Sequence, residues 1–157
     1  MNTKDLNTMS QKLAGWRSDL YEPHRRGARA ELRRAKTISE VVMTPTFQHL
    51  CTQLGKELES FSKQDKDRLA FIVGLLSHVR EVSKPKLAKA MSTGTPPCIS
   101  ELRFRRLLQH ERDDRFYAAM IRIIRMLKYQ VNTYDLIESM YYWNDNKKKE
   151  WAYAYYS

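Results

Sequence analysis

Arginine is the residue whose spacing in this chain could do chemistry. Arg25, Arg29 and Arg33 recur every four residues, Lys36 follows three further on, and Arg26 and Arg34 flank the row. On a helix, a rise of about 1.5 Å per residue sets successive members of such a row roughly 6 Å apart along one face, a scale that suits a row of phosphates. Only Glu31 opposes these six bases between residues 25 and 36. Like charges at i,i+4 cost an isolated helix roughly 0.2–0.5 kcal/mol per pair, so the row needs compensation from a polyanion or from carboxylates on another helix. Of the two, a polyanion is the expectation.

Two further groups repeat the theme. Arg103 and Arg106 stand one turn apart with no acid between them, while Arg115, Arg122 and Arg125 lie away from the sector that holds Phe116, Met120, Ile123 and Leu127. Lys84, Lys86 and Lys89 add a basic edge. The planar guanidinium fork binds phosphate and stacks on bases. Such faces fit contacts that position a strand by its backbone without reading its sequence.

Other chemistry finds less support. Tyr141, Tyr142, Trp143, Trp151, Tyr153, Tyr155 and Tyr156 crowd the last seventeen residues beside Lys147, Lys148 and Lys149. They could stack bases, but Trp151 and Tyr155, four apart, read better as pins holding a last helix to the body, with the lysines in a solvated turn. His110, Glu111, Asp113 and Asp114 form the densest acidic cluster, the one place where a metal-dependent nuclease could gather ligands. Asp113 or Asp114 serves equally as a helix N-cap, which explains the cluster without a metal. His24, His49, His78 and His110 are scattered, and neither a phosphate-cradling glycine loop nor a GxSxG elbow is present. No catalytic residue, metal or cofactor is expected, and the chain is not read as an enzyme.

Helices must position these groups. Met9, Leu13, Trp16 and Leu20 make one amphipathic stripe, and a short helix after Pro23 carries Ala28, Ala30 and Leu32 among its arginines. Thr44 and Pro45 read as N-cap and first helical position of a helix lined by Phe47, Leu50, Cys51 and Leu54 and ended by Gly55. Asp65 opens a longer helix with Leu69, Ile72, Val73, Leu75, Leu76 and Val79 inward, through the centre of a core. Residues 92–98, STGTPPC, are the strongest break and divide an N-terminal lobe (1–91) from a C-terminal lobe (99–157). Beyond it, Ser100 caps a helix through His110 with Leu102, Leu107 and Leu108 inward. The next carries Phe116, Met120, Ile123, Ile124 and Leu127; a third starts at Asn132 or Thr133 with Leu136, Ile137 and Met140; a final one opens at Asn146. No alternating strand pattern appears. The expected class is all-α, about eight helices in two small lobes.

Composition bounds the function. The 157 residues hold 28 Lys and Arg against 18 Asp and Glu, a net charge of +10. The surplus is spread over both halves, so it belongs to the folded body and not to a detachable basic arm. No stretch approaches the roughly 20 apolar residues a bilayer span demands, and the polar start MNTKDLNTMSQKLAGW lacks the apolar run of a secretory signal. Cys51 and Cys98 are far apart and lack neighbouring ligands, so neither a disulfide framework nor a zinc site is expected, and a reducing cytoplasm is the expected home.

Several segments, taken in order, resemble one family. Trp16 and Leu20 precede RAELRR at 29–34; LAKAM follows at 87–91, SELRFRRLL at 100–108 and IRIIRML at 121–127; Trp143 and WAYAYY at 151–156 close the chain. This order and spacing is similar to the CasB family, the small subunit of the type I-E CRISPR surveillance complex Cascade. The resemblance implies a non-catalytic helical subunit present in two copies and packed beside other Cascade subunits. It further implies sequence-independent binding that holds the crRNA–target DNA pairing and the displaced strand of the R-loop. Carried over residue by residue, it points to Arg29, Arg33, Arg34, Lys89, Arg103, Arg106, Arg122 and Arg125 as nucleic-acid contacts. A purely structural scaffold that docks acidic protein surfaces, or a metal-dependent nuclease, are the competing readings.

Overall fold

Helix-forming stripes and side-chain caps dictate most of the architecture. The computed structural model describes residues 3–157, and Met1 and Asn2 of the polar start lie outside the described residues. Among the described residues, ten α-helices and two two-residue strands follow one another. The chain forms two compact units, one ending at Ser77 and one running His78–Ser157. Among the described residues no helix is long and apolar enough to cross a membrane.

In the first unit, α1 (Thr3–Leu20) buries Leu6, Met9, Leu13, Trp16 and Leu20 along one face. A 3-10 turn over Pro23–Arg25 leads into α2 (Arg26–Arg34), which buries only Leu32. Lys36 therefore lies beyond the helix that was expected to carry it, and Arg25 lies before it. The short helix α3 (Ile38–Val42), capped by the Thr37 side chain, was not anticipated; five residues are too few to show a period. The cap of α4 (Pro45–Leu54) is as expected: Phe47 N–H donates to Thr44 Oγ1 at 3.1 Å, Pro45 takes the first position, and Gly55 at φ +38° ends the helix. Helix α5 (Lys63–Leu76) begins two residues before Asp65. Ser62 is its cap, with Asp65 N–H donating to Ser62 Oγ and Ser62 N–H donating to Asp65 Oδ2, each at 3.1 Å. This reciprocal box satisfies two otherwise orphaned donors. From Leu69 to Leu76 every residue of α5 is buried, so it forms the central helix of its unit, packed on α3.

The second unit opens with β1 (Glu81–Val82), which pairs in parallel with β2 (Gln130–Val131), Glu81 opposite Gln130. Two-residue strands carry no legible alternation. Helix α6 (Leu87–Ser92) packs on the last helix, α10 (Asp145–Tyr155). Its first N–H is capped from α9 (Thr133–Tyr141), Leu87 N–H donating to Asp135 Oδ2 at 2.8 Å. That contact places α6 with the C-terminal unit, whereas the sequence reading put the division at 92–98. The STGTPPC segment is a pinned turn inside the unit: Cys98 N–H donates to Thr93 O at 2.9 Å and Ile99 N–H to Met91 O at 2.8 Å. Gly94, at φ +106°, holds a conformation that side chains rarely adopt, and a Cβ there would crowd Pro96 O at 3.0 Å.

Helix α7 (Glu101–Leu107) and helix α8 (Asp114–Met126) follow. Leu102 faces outward, 53% exposed, because it sits about 200° round the helix from the buried Phe104, which takes the inward place assigned to it. The final helix is capped by Asn144, not opened by Asn146: Lys147 N–H donates to Asn144 Oδ1 at 2.9 Å.

The aromatic tail packs as expected. Trp143 Nε1–H donates to His110 O at 2.9 Å, Trp151 Nε1–H to Ser139 Oγ at 3.0 Å, and Tyr155 O–H to Ile99 O at 2.5 Å, its ring stacked on Phe104. Tyr153 and Tyr156 stay exposed. The adjoining lysines are not a solvated turn. Lys147 is buried between Glu138 and Glu150, each 2.8 Å away. Burial pulls its ammonium pKa down, but the bonds to the two carboxylates outweigh that and hold it above the ordinary lysine value.

Candidate nucleic-acid interface

The caps and apolar faces of α7 and α8 decide where their arginines point. Ser100 Oγ accepts from Arg103 N–H at 3.2 Å and fixes the start of α7; Phe104 and Leu107 then face the core. Asp113 Oδ1 accepts from Phe116 N–H at 2.9 Å and fixes the start of α8. Phe116, Tyr117, Met120, Ile123 and Ile124 bury one side of α8, leaving Arg115, Arg122 and Arg125 exposed.

Between the helices lies a cleft of about 360 Å³ lined by Arg103, Arg106, Leu107, His110, Ala119, Arg122, Ile123 and Met126. Its floor is apolar, its rim carries three guanidinium groups, and no carboxylate lines it. Arg103 Nη1 lies 3.5 Å from Met126 Sδ, which steadies that side chain without neutralising it. Exposed cations facing water repel one another by about 1 kcal/mol or less at contact distances, so the cluster is tolerable empty and gains when an anion enters. His110 stacks on Phe116 at 5.8 Å and Phe116 on Trp143 at 4.7 Å, tying the cleft wall to the aromatic core.

The other sequence-derived candidates are not gathered here. Arg125 is exposed one turn beyond Arg122 on α8. Lys89 on α6 donates to Ser157 O at 2.9 Å. In the first unit, Arg29 is half-buried: its Nη1–H donates to Leu20 O at 3.0 Å and its guanidinium covers the Tyr21 ring at 4.8 Å. It clamps the end of α1 to α2. Arg33 is half-buried and Arg34 exposed at the end of the same helix. The row is also partly neutralised, because Arg25 pairs with Asp19 of α1 at 2.8 Å. Glu31 is engaged outside the row as well: its Oε1 accepts from Thr46 N–H at 3.1 Å, near the start of α4. Partner carboxylates from another helix thus account for Arg25, the alternative weighed against a polyanion.

The acidic segment His110–Asp114 is dispersed in role. Asp113 caps α8, and Glu111 lies 3.5 Å from Lys148. Among the described residues, no group of three or more His, Cys, Asp or Glu side chains is placed to hold a metal ion. Cys51 is half-buried and Cys98 exposed, both free thiols; burial raises the Cys51 pKa, partly offset by Lys66.

Comparison with known families decides what this helical body belongs to. The family model of CRISPR-associated protein Cse2 matches residues 28–156, nearly the whole chain. The chain belongs to the Cse2 family, the CasB small subunit of type I-E Cascade. Cse2 is a family of structural subunits, and membership makes the other Cascade subunits its partners. The match begins after Arg25 and Arg26 and takes in all eight candidate positions from Arg29 to Arg125. No curated protein and no solved structure matches the chain at a significant level.

Proposed function

We propose that this Cse2-family chain is a non-catalytic subunit that holds nucleic acid by its backbone within Cascade. The reading is carried by one observation: Arg103, Arg106 and Arg122 rim a single cleft that no carboxylate lines. Phosphates supply the missing negative charge, and contacts to phosphate fix a strand in place while carrying no sequence information. The ligands are the crRNA, the target DNA paired to it, and the displaced strand. R-loop formation is a near-balanced exchange of one duplex for another, so a few backbone contacts can tip it. Arg125 extends the cleft along α8, Arg33 and Arg34 supply a basic patch in the first unit, and Lys89 one on α6. Arg29 acts chiefly by positioning α2. Two copies act in each complex, in the cytoplasm.

The test is binding of the purified chain to labelled single strands and RNA–DNA hybrids of unrelated sequence, with Mg²⁺ present and the products run on a gel. Combined reversal Arg103→Glu, Arg122→Glu and Arg125→Glu weakens binding to every sequence alike and leaves strands intact. Unchanged affinity in this variant sinks the site assignment. Absence of binding by the unaltered chain at low salt favours the scaffold reading, and cleaved strands favour the nuclease.

A further inference from the structure

The α7/α8 cleft concentrates its positive charge on two walls. Arg103 and Arg106 stand one turn apart on α7, and Arg122 joins them from α8, around a space of about 360 Å³. Among the described residues, the side chains of Arg106 and Arg122 make no hydrogen bond or ion pair, and that of Arg103 meets only the Met126 thioether, at 3.5 Å. The nearby acids are engaged elsewhere: Glu101 accepts from the Tyr156 hydroxyl, Glu111 lies 3.5 Å from Lys148, and Asp113 caps α8. The three guanidinium groups thus present planar forks of N–H donors from two helices. His110 belongs to the same lining and brings a ring N–H. Cations on one wall alone would suit a strand that runs past, whereas cations on both walls suit a ligand that lies between them. A strand brings one charge per nucleotide, with a sugar between successive charges. A condensed phosphate carries a charge on every phosphorus with only a bridging oxygen between, so more of its charge fits within reach of the three arginines.

We infer that the cleft is also a receptor for a condensed phosphate, a pyrophosphate or triphosphate chain, which competes there with the strand. Guanidinium forks donate pairs of N–H bonds to phosphate oxygens, and such charge-assisted bonds are roughly twice as strong as neutral ones. The ligand is all acceptor, and the three cations that would grip it are all donor. A base finds little to hold it, because Leu107 and Ile123 of the floor are only 3% and 5% exposed. The phosphate chain is therefore the recognised part, whether free or as the tail of a nucleotide. With the chain bound, the cleft is closed to backbone phosphates, and strand binding falls back on the other basic residues. The inference rests on the backbone-holding function proposed above and adds a small competing ligand to it.

The experiment titrates the full chain with inorganic tripolyphosphate by calorimetry, at fixed ionic strength and without divalent cations. One equivalent binds per chain. Arg106→Ala and Arg122→Ala each weaken it about tenfold, the effect of losing one charge-assisted hydrogen bond, while Arg115→Ala leaves it unchanged. Both cleft arginines are exposed, so these variants keep the fold. Anisotropy of a labelled random-sequence strand is then followed as tripolyphosphate is added. Strand affinity falls and levels off at the value of the variant with Arg103, Arg106 and Arg122 all replaced by alanine, and that variant does not respond. A nucleoside triphosphate binds no more tightly than tripolyphosphate; clearly tighter binding overturns recognition of the phosphate chain alone. Tripolyphosphate bound equally by Arg106→Ala and Arg122→Ala lies elsewhere on the chain, which overturns the receptor. Equal displacement of the strand by sulfate at the same ionic strength, or displacement without a plateau, is general screening and overturns the competition. Strand binding without tripolyphosphate binding overturns the inference and leaves the backbone-holding function standing. Tripolyphosphate held by the arginines with no strand binding refutes that function and supports the receptor, and binding of neither overturns both.

Discussion

Removing the three guanidinium groups of the α7/α8 cleft changes how binding responds to salt by an amount that can be stated beforehand. Each phosphate neutralised on a single strand releases condensed counterions and contributes about −0.7 to the slope of log K against log salt. If Arg103, Arg106 and Arg122 each engage one phosphate, the triple alanine variant has a slope shallower by about 2. Between 50 and 200 mM salt that difference amounts to roughly a 20-fold change in the ratio of the two affinities, large enough for fluorescence anisotropy on a labelled random-sequence strand. Folding should survive the substitutions, because all three side chains are exposed and none is in an ion pair among the described residues. Arg115→Ala is the per-charge control: one positive charge, against three in the triple variant, is lost from the exposed side of α8 at a position that does not line the cleft. Its slope should move by well under one phosphate.

The outcomes separate cleanly. A triple variant whose slope equals that of the unaltered chain refutes phosphate engagement by the cleft, whatever happens to absolute affinity. A loss of affinity that is uniform across salt concentrations means that the arginines act through the protein's own structure. A slope change in Arg115→Ala of about one third of that in the triple variant means that general net charge, and not the cleft, attracts the strand.

Two further predictions concern the frame that holds the cleft. Tyr155→Phe keeps the ring stacked on Phe104 but deletes the bond to Ile99 O; it should cost about 1 kcal/mol, read as a few degrees in melting temperature, with strand binding unchanged. Lys147, whose folded pKa is raised, contributes stability that is fully present below its unfolded value near 10.5 and is lost as pH rises through the folded value. Because Glu138 and Glu150 remain partly exposed, the contribution is about 1 kcal/mol. Lys147→Met should therefore lower the melting temperature at neutral pH and flatten its alkaline decline, and an unaltered alkaline decline would contradict the assignment.

The fold class was legible because helices advertise their faces and their ends. Thr44 and Ser100 cap the helices they were expected to cap, Asp113 and Asn132 do so out of the two residues each that the sequence allowed, and the stripe from Leu69 to Leu76 forms the core helix of its unit. What was not legible depended on contacts between segments distant in the chain. The Pro- and Gly-rich residues 92–98 read as a boundary, yet α6 belongs with α10 because Asp135, 48 residues on, caps its first turn. Lys147 in a run of lysines gives no sign that two carboxylates enclose it. Part of the arginine pattern misled in the same way: Arg25, Arg29 and Arg33 share a spacing, but whether a guanidinium meets Asp19 or the Leu20 carbonyl is decided by the turn over Pro23–Arg25. For the left-handed turn at Lys128 and Tyr129, φ +59° and +63°, no local signal exists, since neither lysine nor tyrosine favours that conformation.

A net charge of +10 does not by itself say which cations can meet a ligand. In the second unit the acids are largely committed to work within the protein: Asp113 and Asp135 to helix starts, Glu138 and Glu150 to Lys147, Glu111 to Lys148, Glu101 to the Tyr156 hydroxyl. None of these tasks neutralises an arginine of the α7/α8 cleft. Arg112, from the same stretch of chain, shows the opposite fate, donating to the Met140 carbonyl at 3.0 Å. The positive charge available for a strand is thus a residue of the packing, left where caps and ion pairs have drawn the carboxylates elsewhere. A substitution that drew one back, such as Ala119→Glu in the cleft wall, should weaken strand binding more than an added acid on the outer face of α10, where Tyr153 stands.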